Sequence, residues 1–381
     1  MQPLCGKRIV ILFGDLQMGG AERQGLLLAR YLKEQQGALV EVWGLGPDRG
    51  PVADCCEKCA IPWQAVPLHW GLRRRLPHLV RLLYRLRAAA PDILIPYTRV
   101  PNVACGLLWR LVGSETMIWN QADEGLLLNR SLLHAAAIRL TPQFVVNSRA
   151  AAELLIHRFH LDASRIRFVK NGVTPGKSLM TRDNWRERLA AGNNRFIAVM
   201  PANLTSFKDH ATLIRAWRCV VDHFSAKGHQ QPLLVLAGRL GDTAGSVRSL
   251  IQKLELDDTI AVYGYTEDVF GLLEASDLCV FSSFSECYPN AVLEAMQAGL
   301  PVVASDIPGI RDTVGPDGLD WLVLPGDAAA FAAAILELAA RDALRQQLGL
   351  FMQQRIQLEF DPDRLCREMV AVIQGALNRV R

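Results

Sequence analysis

Residues 278–299 read LCVFSSFSECYPNAVLEAMQAG, and this stretch decides how the chain is read. Leu278–Phe281 is a short uncharged apolar run of the kind that forms a strand buried on both faces. Ser282–Pro289 is a polar turn, and Pro289 stands where proline is tolerated at a helix start. Beyond it, Val292, Ala295 and Met296 share a stripe, Asn290, Glu294 and Gln297 lie on another face, and Gly299 is a stop. The first-turn amides, including those of Asn290 and Ala291, lack acceptors inside the helix and suit an anion, helped by the helix dipole. Glu294 lies about one turn further on, where a carboxylate can accept hydrogen bonds from a ribose diol. Glu286 stands in the turn itself, able to contact a sugar hydroxyl. A surface strand–turn–helix with two solvated glutamates would read the same way. Two carboxylates at one site also fit a glycosidase, but an anion-binding helix end between them favours a phosphorylated ligand over a neutral sugar chain.

The same alternation runs outward in both directions. In the first half, Ile9–Phe13, Leu39–Trp43, Ile93–Pro96, Thr116–Trp119 and Phe144–Val146 read as buried strands, with helices over Ala21–Glu34, Pro77–Ala90 and Ala150–Phe159. In the second half, Phe196–Met200, Leu233–Ala237, Ile260–Tyr263, Val302–Ala304 and Trp321–Val323 repeat the pattern, separated by further helical segments. Strand and helix in alternation mean parallel sheets covered by helices, and the length allows two such domains. We expect an α/β chain of two doubly wound parallel-sheet domains, residues 1–175 and 176–360, with 361–381 as a terminal segment. Asn171–Asn194, which holds Pro175, Gly176 and Gly192, reads as the connection. Ligands of doubly wound sheets bind outside the carboxyl ends of the strands. Two domains facing across a cleft would suit transfer between two bound molecules.

Charge divides along the same line. Residues 1–175 carry 22 Lys/Arg against 13 Asp/Glu, a balance of +9, and residues 176–381 carry 20 against 25, a balance of −5. Half of the residues are hydrophobic and 21% charged, which excludes collagen-like, disordered and coiled-coil chains. The nine cysteines lie mostly in apolar context, as buried free thiols of a reducing compartment do. Cys56 and Cys59 form a C-x-x-C with Cys55 alongside, but no second pair follows at zinc-site spacing, so a loop of incidental thiols is expected. Ile9–Phe13 is too short for a leader's apolar core and reads as a first strand. No stretch reaches the 18 or so apolar residues of a membrane span. These readings together predict a cytoplasmic protein.

At the carboxylate motif the sequence resembles the family 4 glycosyltransferases. The resemblance rests on Glu286-x7-Glu294, on Ala295-Met296-x-x-Gly299-x-Pro301-Val302-Val303, and on Ser305-Asp306-x-Pro308-Gly309. It continues through Met18-Gly19-Gly20-Ala21-Glu22-Arg23, Asn147-Ser148, Lys170-Asn171-Gly172-Val173 and the lysine of Asn203–His210, and so covers nearly the whole chain. It implies the GT-B fold, two Rossmann-like domains facing across a cleft, with the terminal segment crossing back onto the first. It also implies retaining transfer of a sugar from a nucleoside-diphosphate sugar, with UDP or GDP, and no obligatory metal. By the resemblance Glu294 would bind ribose, Glu286 the donor sugar, the amides of Tyr288, Pro289, Asn290 and Ala291 the diphosphate region, and Lys208 the diphosphate. Proline has no amide to give, so Pro289 would serve there by shaping the turn. A cation is apt at Lys208 because the nucleoside diphosphate leaves as an anion. Gly19 and Gly20 would let the first glycine loop approach a phosphate or sugar closely. Glu286 and Lys208 are the candidate catalytic residues.

Three positions depart from the family pattern. An arginine common before the diphosphate lysine is matched by Asn203, a glycine common after the first Glu by Cys287, and a histidine common on the acceptor side by Asn120. Asn120 and Asp123 are then the acceptor-side candidates, and the departures leave room for a nucleotide-sugar binder with weakened or absent catalysis; a GT-B epimerase or phosphorylase would use the same cleft on a different reaction. From Lys58 to Pro91 there is no acidic residue, and Arg73, Arg74, Arg75, Arg81 and Arg85 interleave with leucines. That stretch suits an anionic membrane face, where a lipid-linked glycan acceptor would be found. A helix packed on its sheet with solvated arginines is the plainer account. Nucleic acid is not expected, because Tyr84 alone interrupts the basic run with an aromatic ring.

Overall fold

A computed structural model describes residues 4–71, 75–121, 128, 131–174 and 176–380. The chain forms two units, one of Met1–Gly172 with Phe360–Arg381 and one of Val173–Glu359. In the first unit the apolar runs become β1 (Arg8–Phe13), β2 (Leu39–Gly44), β3 (Trp63–Ala65), β4 (Ile93–Pro96), β5 (Thr116–Gln121), β6 (Gln143–Val146) and β7 (Ile166–Phe168). All pair in parallel, in the order β3-β2-β1-β4-β5-β6-β7. Every residue of β4, β5 and β6 is buried, as expected of strands covered on both faces. The terminal helix Pro362–Val380 belongs to this unit. It places Cys366, Met369, Ile373 and Ala376 in the same core as Ile9, Ile11, Phe13, Leu28 and Leu32.

The second unit contains β8 (Ile197–Pro201), β9 (Leu233–Ala237), β10 (Ile260–Gly264), β11 (Leu278–Phe281), β12 (Val302–Ser305) and β13 (Leu322–Val323). Its order is β10-β9-β8-β11-β12-β13, again all parallel. Each sheet therefore reverses direction once, between β1 and β4 and between β8 and β11. At such a switch point the two neighbouring loops leave on opposite faces and open a crevice for a ligand. The expected pair of doubly wound parallel sheets is what the chain forms.

Several local expectations change. Cys55 and Cys56 lie on a helix, Pro51–Lys58, rather than in a loop; Pro51 starts it and Val52, Ala53 and Cys56 pack inward. Among the described residues the nine cysteines form no disulfide, and no group of three potential metal ligands occurs. The stretch read as a connection contains the helix Arg182–Arg188, anchored in the second unit. There buried Trp185 Nε1 donates to Asp268 Oδ2 at 2.7 Å, and buried Arg186 donates to the carbonyls of Gly192 and Ala275, each at 2.8 Å. β3 and β7 escaped notice because they are short and only half-buried or exposed, so neither shows a continuous apolar run. Among the described residues no helix is long and apolar enough to cross a membrane.

Candidate functional site

At the switch point of the second sheet, the loops after β8 and β11 are stitched together by backbone. Lys208 and Ser283 form an antiparallel bridge, Phe284 N donates to Phe207 O at 3.1 Å, and Asp209 N donates to Ser282 O at 3.1 Å. Ser282 Oγ returns a bond to Asp209 O at 2.7 Å. Asp209 then caps the long helix His210–Ala226, its Oδ1 accepting from Thr212 N at 3.1 Å. The loop that carries Lys208 is thus fixed at both ends before its side chain is considered.

Lys208 Nζ forms an ion pair with Glu286 Oε1, and both side chains are largely withdrawn from solvent, at 19% and 15% exposure. Lys208 also stands 4.5 Å from the centre of the Phe281 ring, at the end of β11. The Ser283 hydroxyl lies 2.8 Å from Glu286 Oε1 and 3.0 Å from Phe207 O, and its single proton serves the closer, charged acceptor. Ser283 N donates to Ser305 Oγ, the fully buried last residue of β12, at 2.9 Å. Lys208, Ser283 and Glu286 therefore form one connected group. His210, one residue past the cap, is 2% exposed, and burial pushes its imidazole down to about 4. Its ring is neutral at ordinary pH and leaves the positive charge here to Lys208.

Two glycines make the close packing of these loops feasible. A Cβ on Gly309 would stand 2.0 Å from Glu286 O and 2.2 Å from Cys287 O, so the turn bearing Glu286 rests directly on that backbone. A Cβ on Gly238 would stand 2.0 Å from Ala202 O, where the loop after β9 meets the loop after β8. Cys287 and Tyr288 are buried beneath the turn. Pro289 caps the helix Asn290–Gln297, which buries Val292, Leu293, Ala295 and Met296 and leaves Asn290, Ala291 and Glu294 half-buried. Asn203, which stands where an arginine was expected, ties loops together instead, its Oδ1 accepting from Arg239 N at 2.9 Å. The Arg239 guanidinium stacks on Tyr265, just past the end of β10, at 5.2 Å. Lys208 brings an ammonium to the β8/β11 crevice.

The first sheet's switch point is furnished differently. Gly19 caps the helix Gly20–Gln36, and a Cβ on Gly19 would lie 2.6 Å from Glu22 Oε2. Glu22 continues the inward stripe Gly25, Leu28, Ala29 and Leu32, at positions i, i+3, i+7 and beyond. Burial, with Asp15 nearby, pushes its carboxyl up to about 7. The stripe itself was the signal for Glu22 that motif reading passed over. After β4, Thr98 holds φ +67° and ψ 168°, a region nearly reserved for glycine, and opens the helix Arg99–Val112. Asn120 is buried, and its Nδ2 lies within reach of the carbonyls of Pro96 at 3.1 Å and Ile118 at 3.2 Å. Asn102 Nδ2 donates to Asn120 O at 2.7 Å. The Asn120 amide nitrogen is thus spent on joining β4 and β5 rather than on presenting a donor. Asp123 lies outside the described residues, as do Arg73 and Arg74.

Comparison with known proteins agrees with this architecture. Residues 18–177 match the family model described as Glycosyltransferase Family 4, and residues 181–354 match the one described as Glycosyl transferases group 1. EpsD of Bacillus subtilis is 29% identical over 193 residues, 51% of this chain and 49% of that one. The amylovoran biosynthesis glycosyltransferase AmsK of Erwinia amylovora is 26% identical over 221 residues, 56% of this chain and 51% of that one. The chain spans about half the length of these curated relatives. HepE of Anabaena, solved with UDP and glucose, superposes with a TM-score of 0.83 at 19% identity, covering 97% of this chain and all of that one. Two family models matched in chain order, on two parallel sheets each with one switch point, make this chain a member of the family 4-like glycosyltransferases of the GT-B fold.

Proposed function

We propose that the chain is a retaining hexosyltransferase. It moves a sugar from a UDP- or GDP-sugar to a glycan or lipid-linked glycan acceptor, in the synthesis of a bacterial surface polysaccharide or glycolipid. The observation that carries this reading is the Lys208–Ser283–Glu286 group at the β8/β11 switch point, beside the start of the helix Asn290–Gln297. A nucleoside diphosphate is the anionic ligand such a crevice suits. The UDP and glucose bound to HepE and the amylovoran biosynthesis in the name of AmsK support the substrate class.

In the proposed reaction the bond from the anomeric carbon to the diphosphate oxygen breaks, and its electron pair leaves with the diphosphate. Lys208 and the first-turn amides of Asn290 and Ala291 stabilise that developing charge. The acceptor hydroxyl oxygen bonds to the anomeric carbon on the face the diphosphate leaves, and its proton passes to a departing diphosphate oxygen. Glu286 holds a donor-sugar hydroxyl and Glu294 the ribose diol. Gly19 and Gly20, with the acceptor-side residues, belong to the first unit. Positive charge comes from Lys208, and no obligatory metal is called for. Glu286 pairs with Lys208, so a diphosphate bound at that ammonium displaces the carboxylate, which then meets a donor-sugar hydroxyl.

The test is turnover of a panel of UDP- and GDP-hexoses with lipid-linked glycan primers. The readouts are nucleoside diphosphate release and the anomeric configuration of the product by NMR. One donor giving product with its own configuration supports the reading. An inverted product, or release of diphosphate from no donor, contradicts it.

A further inference from the structure

The first unit carries a pocket of 550 Å³ at the edge of its sheet opposite the switch-point crevice. The pocket is built where two strands begin: Ser114 stands two residues before β5, Gln143 opens β6, and Pro142 lies just ahead of it. Trp109 and Arg110 come from the last turn of the helix Arg99–Val112, and Ala376 and Arg379 from the terminal helix. β5 is six residues long, so about 20 Å of sheet separates this pocket from the carboxyl ends of the strands. A small molecule held here does not reach the crevice of its own sheet.

Arg110 and Arg379 both line this pocket, and no acid does so among the described residues. The carbonyls that ordinarily absorb a cation at a helix end are already taken. Trp109 O accepts from Gly113 N and Ser114 N, each at 3.2 Å, and Arg110 O accepts from Gly113 N at 3.2 Å. Leu111 O accepts from Arg87 at 2.8 Å, and Leu140 O from Trp109 Nε1 at 3.1 Å. Arg110 is left beside the Trp109 ring, 5.2 Å from its centre. Arg379 reaches two neutral oxygens at long range, Gln143 Oε1 at 3.4 Å and Ser164 O at 3.3 Å. Neither arginine makes an ion pair among the described residues. The acids nearby are committed elsewhere. Glu115 pairs with Lys7 at 2.6 Å, and Asp162, which feels the charge of Arg379, accepts from Ser164 N at 2.9 Å and Ser164 Oγ at 2.8 Å. Ser114 is 7% exposed, and its hydroxyl has no hydrogen-bond partner among the described residues. A buried hydroxyl left without a partner is costly, and on a pocket wall it points to a ligand.

The structure assigns this pocket to a small phosphorylated metabolite, its phosphate held by Arg110, Arg379 and the Ser114 hydroxyl and its body resting on Pro142 and Ala376. A phosphate offers three oxygens to these three donors, and guanidinium groups match that geometry. Two cations repel a metal ion, and a neutral sugar would leave both of them unpaired. The volume lies in the range of small-molecule sites and exceeds what a bare phosphate fills. Arg379 and Ala376 belong to the terminal helix, whereas Ser114, Pro142 and Gln143 lead into β5 and β6. The ligand thus ties the end of that helix to the sheet, and the fold gains stability as the pocket fills. The site is separate from the donor crevice, and binding there does not depend on sugar transfer.

The test is calorimetric titration of glucose 6-phosphate and of inorganic phosphate, at fixed ionic strength, into the full chain and into Lys208→Ala, whose donor crevice has lost its ammonium. Both proteins should bind glucose 6-phosphate alike, and more tightly than inorganic phosphate. Arg110→Gln with Arg379→Gln should weaken that binding at least roughly tenfold. Ser114→Ala should weaken it several-fold without lowering the melting temperature of the unliganded chain, because it deletes a hydroxyl that has no partner there. Glucose 6-phosphate should raise the melting temperature of the wild type and leave that of the arginine variant unmoved. Failure of both anions to bind overturns the assignment, as does binding that the arginine variant keeps. Binding lost in Lys208→Ala would place the anion in the donor crevice and also overturn it. Equal affinity for the two anions would make free phosphate the ligand and overturn the metabolite.

Discussion

The two switch points of this molecule share a topology and differ in chemistry. At β8/β11 the crevice holds an ammonium, a carboxylate and a hydroxyl in one connected group, with the start of a helix beside them. At β1/β4 the loop after β1 and the helix that follows it carry two acids, Asp15 and Glu22, and beside them stand a strained Thr98, Arg99 at the start of the next helix, and two buried asparagines. The first arrangement suits a phosphorylated ligand because its ammonium is largely withdrawn from solvent and can exchange the Glu286 carboxylate for a phosphate oxygen. The second brings acids, amides and the Arg99 guanidinium to the strand ends and lacks a connected ammonium–carboxylate–hydroxyl group of that kind among its described residues. One topology thus carries two different sets of side chains at corresponding strand ends.

The largest effect that could break this comparison is loss of the cation. Lys208→Ala should lower kcat for sugar transfer by about 10²- to 10³-fold, the scale of a removed charge-stabilising group. An Asn120→Ala variant should show a smaller catalytic loss accompanied by lower stability, since that side chain joins strands. Next in size is the platform under Glu286. Gly309→Ala forces a Cβ against backbone oxygens and should cost about 2–3 kcal/mol in denaturant unfolding, while also displacing the turn.

Glu22 sharpens the comparison through pH. Its carboxyl sits at about 7 in the fold against an ordinary 4.5, so the folded chain binds the extra proton between those values. Its contribution to stability is fully present below pH 4.5 and is lost as the pH rises through 7. Glu22→Gln should flatten that decline and leave the variant more stable by roughly 2 kcal/mol above it, after allowance for partial exposure. A pH-independent stability difference would show that Glu22 does not titrate as described. Smallest is the cap of the helix His210–Ala226: Asp209→Ala should cost about 1 kcal/mol, visible in thermal unfolding with binding nearly intact.

Much of the fold was legible because strands buried on both faces are written as uninterrupted apolar runs. Leu233–Ala237 and Leu278–Phe281 emerge with the boundaries read from sequence. Where burial is partial the run breaks, and β3 and β7 vanish from such a reading. The helix Arg99–Val112 was hidden by Pro101 and Gly106, which look like breakers. Pro101 falls in the first turn, where its missing amide costs nothing, and Gly106 sits against Ala137 O, where a Cβ would come within 2.9 Å. At the site, Lys208 and Glu286 were nameable from the motif, yet their mutual pairing was not, since 78 residues separate them. Ser283 carries no role in the sequence reading and Ser305 only a place in a motif, because a hydroxyl's role depends on which strand lies beside it. Asn120 reads as a ligand-facing amide, and only the neighbouring carbonyls reveal that its Nδ2 also bonds to backbone.

The central claim is that Lys208 holds the nucleotide's diphosphate and that Glu286 occupies it otherwise. Calorimetric titration of UDP and GDP into three proteins tests this most directly. Lys208→Ala should bind the preferred nucleotide at least about tenfold more weakly than wild type. Glu286→Gln, which frees the ammonium, should bind it no more weakly than wild type. Undiminished affinity in Lys208→Ala would place the diphosphate elsewhere and contradict the account.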